Sequence, residues 1–498
     1  MGKNPLPTYD LHPPYALTRI HPKLIAWAAL QVVFIFVMFL SPTFVMPLGI
    51  LLTLLFGVAI LLEPLMSLVA VAVTTFLIHS QIIGKEYILS ILGVNWYAMD
   101  WILVFAALSW LIRWSSGVRF APVRSPIMLP LVLFFLYLPY SAYTGIQQGT
   151  AVKFAFADMR LFFYYTSFFL VWAFVRRVRQ LEVIFFVTVV CGILGALPEI
   201  YASLGTTQID VLTGQQLEFS RIKGMNEVVY PVTLVGCAAF FPFASGWAKK
   251  AVLLLAIAVS VTALYLSYAR GSWLAALAGL AFLFVMLLRF APRLRQNLKK
   301  VLFAMSAIGI VTVVLSFAGI LPLGVIESRA SLVRPGTIDI SSLARLAEWQ
   351  SAINDFSPHP LFGLGLGYIY HFYAPGIGNL TQNYVHNSYV YVLTKMGIAG
   401  FVLFIFLFMT ALVTFYRGLK RLNPGTEMGL LVSYGCMLVV FMVKSLTTWH
   451  LNALENSIFV GVVLGAIALI ESWSRTRSNN ESDNVGVSEL GGETRALD

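Results

Sequence analysis

Charge is scarce in this chain. Only 11% of its 498 residues are Asp, Glu, Lys or Arg, against 59% hydrophobic residues and a mean hydropathy of +0.83. That composition carries more apolar surface than a water-soluble core can enclose, which excludes a soluble globular enzyme. Cysteine is scarce too. Cys191, Cys237 and Cys436 stand far apart inside apolar runs, without metal-ligand or redox-pair spacing, and read as packing residues. The sequence has no His-Glu-x-x-His motif, no paired Cys-x-x-Cys and no Asp-rich cluster, so no metal or cofactor site is expected. GLGLG at 363–367 follows no strand and precedes no Gly-Lys-Ser/Thr, which favours a flexible turn over a nucleotide-binding loop. With no recognisable ATP-binding domain, any transport has to be ion-coupled or downhill.

What the chain has in abundance is apolar runs of membrane length. A hydrocarbon core of about 30 Å takes about 20 helical residues to cross. Such runs recur from 24 to 320 and again at 386–415, 427–447 and 453–472. The expected fold is an all-α polytopic membrane bundle of about 12 to 14 transmembrane helices. Ser41-Pro42 and Glu63-Pro64 read as either breaks between runs or kinks within one, because proline can kink a span as well as end it. A tail at 1–23 precedes the runs, a long loop at 321–385 interrupts them, and the polar Gly/Ser/Asn-rich segment 473–498 is expected to be disordered. The stretch before the first run is too long for the basic region of a cleavable signal peptide.

The net charge of +11 does not form a nucleic-acid-binding stripe. Arg113, Arg119 and Arg124, then Arg176, Arg177 and Arg179, then Lys249 and Lys250, then Arg289, Arg293, Arg295, Lys299 and Lys300, then Arg417, Lys420 and Arg421 fall in alternate loops. The positive-inside rule makes those loops and both termini cytoplasmic.

That topology sorts the remaining polar residues onto the outer face. The loop 321–385 is too long for a bare connection. Within it, Leu346, Trp349, Ile353 and Phe356 recur at helical spacing, Ser341 or Ser342 can cap the start, and Pro358 and Pro360 stop the helix. The loop therefore carries an amphipathic helix, to lie on the membrane or lid a cavity. Arg221, Arg270 and His386 are remote in sequence, yet topology brings all three to this face. Each also has a plainer reading, as a snorkelling arginine or a histidine that satisfies a carbonyl. Arg160 sits about six residues inside a span, where insertion costs about 2.5–3.5 kcal/mol without a cavity or partner. Asp158, two residues away, points elsewhere on a helix, so Arg160 is expected to face a cavity. Glu199, Glu227, Lys444, His450 and Glu455 carry weaker versions of the same expectation.

Four segments resemble the bacterial O-antigen ligase and O-antigen polymerase superfamily. SYARGSWLAAL is similar to its S-x-S-R-G stretch, and RLAEWQSAINDFSPHPLFGLGLG to its R-x-x-x-W loop with a Gly-x-Gly end. VHNSYVYVLTKMGIAG resembles its His-Asn signature, and RIKG its R-x-x-G segment. Together they span roughly 219–401; Ala269 replaces a usual serine, and Lys395 a commonly acidic position.

The resemblance implies a glycosyltransferase in the bacterial inner membrane, acting at its periplasmic face. The donor would be an undecaprenyl-diphosphate-linked glycan, and the acceptor a saccharide on lipid A core or a growing polysaccharide. It implies His386 as the catalytic residue, Arg221 and Arg270 as diphosphate ligands in place of a metal, and Arg160, Arg345 and Asn387 as candidate cavity residues. Inversion at the anomeric carbon would follow from a single in-line displacement. The alternative is a bicarbonate-like small-solute transporter using the same outer cavity, for which a polar path through to the cytoplasmic side would be required.

Overall fold

The computed structural model describes residues 45–77, 89–91, 94–118, 124–204, 208–209, 216–217, 226–267, 269–290, 340–375 and 377–493. Residues 24–41 and 301–320 of the expected apolar runs, and Arg221, lie outside them. The chain divides into two units at Phe56/Gly57. Helix α1 (Val45–Leu62) begins in the first, and everything below concerns the second.

The helices are α2 (Met66–Phe76), α3 (Ala98–Ser115), α4 (Met128–Gln147), α5 (Val152–Phe163), α6 (Ser167–Phe174), α7 (Val178–Leu204), α8 (Val229–Phe240), α9 (Trp247–Ser267), α10 (Arg270–Phe290), α11 (Ile340–Phe356), α12 (Ser388–Arg421), α13 (Thr426–Lys444) and α14 (Leu454–Glu493). A single 3-10 turn joins α5 to α6, making one span of Val152–Phe174. Among the described residues, nine helices are long and apolar enough to cross a membrane, and Met66–Phe76 and Val229–Phe243 are shorter apolar helices. Each apolar run within the described residues becomes a helix, two of them too short to count among the nine, because in hydrocarbon the backbone must satisfy its own hydrogen bonds. The Glu63-Pro64 break is a real helix end. The last helix runs from Leu454 to Glu493.

The core sits around α2, α8, α13 and α14. Every residue of α2 and of α8 is buried, as expected of helices that are apolar all round. Gly236 of α8 meets the Met437 side chain of α13, and Gly279 of α10 meets Val440 and Val235. Small residues at these contacts let the helices approach closely, and that packing holds helices together where lipid is as apolar as the side chains.

Two features of the region 357–421 differ from the sequence reading. The run from His386 to Phe415 reads as unbroken, but α12 contains a break at Gly397, with φ 69° and ψ −176°. The GLGLG stretch is not a flexible turn. It is a strap wedged into that break. Leu364 and Gly365 donate their N–H groups to the carbonyls of Thr394 and Lys395 at 2.9 and 2.8 Å, while Ile398 and Ala399 donate to Pro360 and Leu361 at 2.9 and 3.1 Å. Tyr137 donates its hydroxyl to the Met396 carbonyl at 2.7 Å. The strap thus satisfies the backbone groups that the break releases, which is the condition for breaking a helix in an apolar surrounding.

Glycine is required in the strap. Gly363, Gly365 and Gly367 have φ of 76°, 82° and 88°, a region costly for any residue with a Cβ. A Cβ on Gly365 would sit 2.0 Å from the Gly145 nitrogen, whereas one on Gly149, at φ 89°, would meet nothing within 4 Å. Gly149→Ala should therefore cost only about 1–2 kcal/mol of backbone strain. Gly365→Ala adds a backbone collision and should lower the melting temperature in detergent well beyond that, or abolish accumulation. Equal melting temperatures for the two variants would contradict the wedged strap.

Beneath the strap lies a buried ion pair that explains Lys395. Its Nζ donates to Asp158 Oδ2 on α5 at 2.6 Å and to the Asn383 carbonyl at 2.5 Å, with side-chain exposures of 0% and 3% for the pair. The Gly367 N–H also donates to Asp158 Oδ2, at 2.7 Å. One carboxylate thus ties α5, α12 and the end of the strap together.

Candidate functional site

The N-terminal ends of α10, α12 and α14 and the C-terminal end of α13 meet around the turn 445–452. The Ser388 N–H donates to the Ser445 carbonyl at 2.9 Å, and the Leu451 N–H donates to Ser445 Oγ at 3.0 Å. Gly271, next to Arg270, lies so close to Thr447 that a Cβ there would fall 2.3 Å from its Oγ1. Trp449 of the same turn has its ring 5.2 Å from that of His386. The turn therefore links two of the predicted residues, Arg270 on one side and His386 on the other. The basic last turns of α10 and α12, with Arg289, Lys420 and Arg421, belong to the opposite helix ends.

His386 lies two residues before the start of α12 and is held by a residue that sequence reasoning missed. Glu348 of α11 has a side chain only 1% exposed, against 30% for His386. Its carboxylate accepts from His386 Nδ1 at 3.0 and 3.2 Å, from the His386 N–H at 3.2 Å, and from Gln382 Nε2. A carboxylate acceptor fixes the proton on Nδ1 and leaves the Nε2 lone pair available. Among the described residues, none hydrogen-bonds Nε2. Gln382 ends the hairpin of Tyr370–Ala374 and Gly378–Gln382, so this hairpin and α11 together form the wall behind the histidine.

The orientation of α11 explains why Glu348 was missed. The apolar positions Leu346 and Ile353, part of the amphipathic face read from the sequence, are 56% and 46% exposed. The buried face instead includes Glu348 and Ala352, with Ala344 one turn before Glu348. Alanines four residues to either side of Glu348 were the available signal: small residues permit the close approach that buries a carboxylate. Arg345 lies one turn before Glu348 and is partly buried.

Other predicted residues have different surroundings. Asn387 caps α12, its Oδ1 accepting from the N–H groups of Tyr389 and Val390 at 2.9 and 3.2 Å. Arg160 has a partner where a cavity was expected: it donates to Asp100 Oδ2 at 3.3 Å, and its guanidinium lies 4.7 Å from the Tyr97 ring centre. The Tyr164 hydroxyl donates to the other Asp100 oxygen at 2.8 Å. This ion pair between α3 and α5 removes the need for a cavity to shelter the arginine. Lys444 donates to Glu227 at 3.3 Å, Tyr230 donates to Glu199, and the Glu455 carbonyl accepts from Thr75. His450 is buried and its Nδ1 bonds Asn456 at 2.9 Å. Among the described residues, no three His, Cys, Asp or Glu side chains gather as a metal-ligand set.

Chemically, the site is an imidazole with one nitrogen fixed by a carboxylate and the other open. Arg270 opens α10 across the turn 445–452, where helix N–H groups also favour an anion. Residues 252–405, running from α9 to the middle of α12, match the family model described as O-antigen ligase. That stretch contains Arg270, Arg345, Glu348, His386, Asn387 and Lys395, and leaves Arg160 and Arg221 outside. A comparison with curated proteins finds no significant match.

Proposed function

The chain is an O-antigen ligase-related, multi-pass membrane protein of the glycan-transferring type, and on this basis we propose that it moves a glycan from undecaprenyl diphosphate to a saccharide acceptor at the periplasmic face of the bacterial inner membrane. The observation that carries the reading is the His386–Glu348 pair, with Nδ1 held on a buried carboxylate and Nε2 open. In the step, an acceptor hydroxyl oxygen bonds to the anomeric carbon as that carbon's bond to the phosphate oxygen breaks. The hydroxyl proton passes to His386 Nε2, and Glu348 balances the imidazolium that forms. The bonding electrons leave on undecaprenyl diphosphate, where Arg270 and Arg221 neutralise the developing charge. A single displacement inverts the anomeric configuration. Lipid A core or a growing polysaccharide serves as acceptor.

The test is a gel profile of surface and lipid-linked polysaccharide from a deletion strain complemented with variants. Arg270→Ala should abolish attached long glycan while protein level and membrane insertion stay normal, because a guanidinium that binds the leaving diphosphate is worth several kilocalories per mole. Accumulation of lipid-linked polymer identifies a ligase, and a single repeat unit left attached identifies a polymerase. Normal glycan in the Arg270→Ala strain would overturn the reading.

A further inference from the structure

His386 does not stand alone at the open side of this site. The Tyr384 and Trp449 rings lie 3.7 Å apart, centre to centre, and each is 5.2 Å from the His386 ring. We propose that Tyr384 and Trp449 form the acceptor-saccharide subsite, on which a pyranose ring packs its C–H face and presents one hydroxyl to His386 Nε2. This rests on the glycosyltransferase reading and names the class of ligand the site takes.

Three observations carry it. All three rings are part-exposed, whereas Tyr165, Phe162 and Phe404 are fully buried. Next, the polar atoms differ from those of the neighbouring tyrosines. Tyr137, Tyr165 and Tyr389 spend their hydroxyls on the carbonyls of Met396, Leu451 and Met442. Among the described residues, the Tyr384 hydroxyl, the Trp449 indole N–H and His386 Nε2 find no hydrogen-bond partner. Burial, and then the nearby Glu348 carboxylate, push the Tyr384 phenol above its usual range, so the hydroxyl keeps its proton and can donate.

The third observation is rigidity. The Asn452 N–H donates to the Trp449 carbonyl at 3.1 Å. Leu451, two residues on, accepts at its carbonyl from Tyr165 and Ser457 at 2.5 and 3.1 Å. A fixed aromatic face with unspent polar atoms around it suits a pyranose. The slightly positive axial C–H groups of the sugar meet the negative ring face, while its hydroxyls reach the phenol, the indole N–H and the imidazole.

The experiment uses the full chain in lipid nanodiscs and saturation-transfer NMR. The probes are methyl α-D-glucopyranoside, methyl α-D-galactopyranoside and methyl α-D-mannopyranoside, with sorbitol as a polyol that lacks the ring face. At least one pyranoside should show saturable contact through its ring protons, and sorbitol none. Trp449→Ala should weaken that contact about tenfold, the loss of roughly 1.4 kcal/mol of ring interaction. Trp449→Phe should restore most of it. Should Trp449→Ala fail to fold, Tyr384→Leu carries the same expectation. No contact by any pyranoside, equal contact by sorbitol, or unchanged contact in the Trp449 and Tyr384 variants would overturn the subsite. Intact pyranoside binding in a protein that transfers no glycan would keep the subsite and reject the transferase reading.

Discussion

Replacing His386 by alanine should cut glycan transfer by about a hundred- to ten-thousand-fold, the usual contribution of a positioned general base, with little effect on folding. The side chain is 30% exposed, and it belongs to neither the Gly397 break nor the Asp158–Lys395 pair. Glu348→Gln should be nearly as severe, for a different reason. An amide carries no charge to balance an imidazolium, and its NH2 can donate to Nδ1, which moves the histidine proton onto Nε2 and blocks the base. Glu348→Asp keeps the charge on a shorter arm and should retain intermediate activity. The ordering His386→Ala, Glu348→Gln, Glu348→Asp, wild type, read as initial rates of glycan transfer, separates a positioning carboxylate from one that merely fills space. Equal activity in Gln and Asp variants would assign Glu348 to packing.

The second large effect concerns stability. Lys395→Met leaves the Asp158 carboxylate buried without its cation, and breaking a buried pair from one side costs about 3–5 kcal/mol. The variant should melt far below wild type in detergent or fail to accumulate. Adding Asp158→Asn should recover a substantial part of the loss. The asparagine oxygen still accepts from the Gly367 N–H, the bond Asp158 makes at 2.7 Å, and no uncompensated charge remains. Residues in direct contact couple by about 0.5–3 kcal/mol in such cycles. A Lys395→Met protein that melts with wild type would show that the pair is not what holds α5, α12 and the strap together.

What could be read from sequence follows the physics of each feature. Membrane spans are visible because hydrocarbon thickness sets a length that one run must supply by itself, and helices such as Ala98–Ser115 and Thr426–Lys444 lie within two or three residues of the apolar runs. His386 and Arg270 are visible because both are polar residues at span ends, and the alternation of basic loops assigns those ends to one face. Pairings between elements were hidden. Glu348 and His386 are 38 residues apart, Asp158 and Lys395 are 237 apart, and each contact depends on how a helix is rotated about its axis. The rotation of α11 buries Glu348 and leaves Leu346 and Ile353 on its outer side, and nothing in its hydrophobic spacing says which polar residue turns inward. The break at Gly397 was hidden because the residues around it stay apolar; its backbone partners come from a strap about 30 residues earlier. Lys395, the departure from the family resemblance, became intelligible only with Asp158 beside it.

Reconstituted transfer gives the most direct measurement of what this protein does. Purified wild-type protein and His386→Ala, in proteoliposomes with undecaprenyl-diphosphate-linked glycan and a saccharide acceptor, are compared with and without EDTA. The anomeric configuration of the new bond is read by NMR. The expected result is an inverted product from wild type, undiminished by EDTA, and product from His386→Ala reduced at least a hundredfold, at the lower end of a general base's worth. Wild-type rates in His386→Ala, retention of configuration, or solute uptake by the proteoliposomes without any glycan product would contradict it.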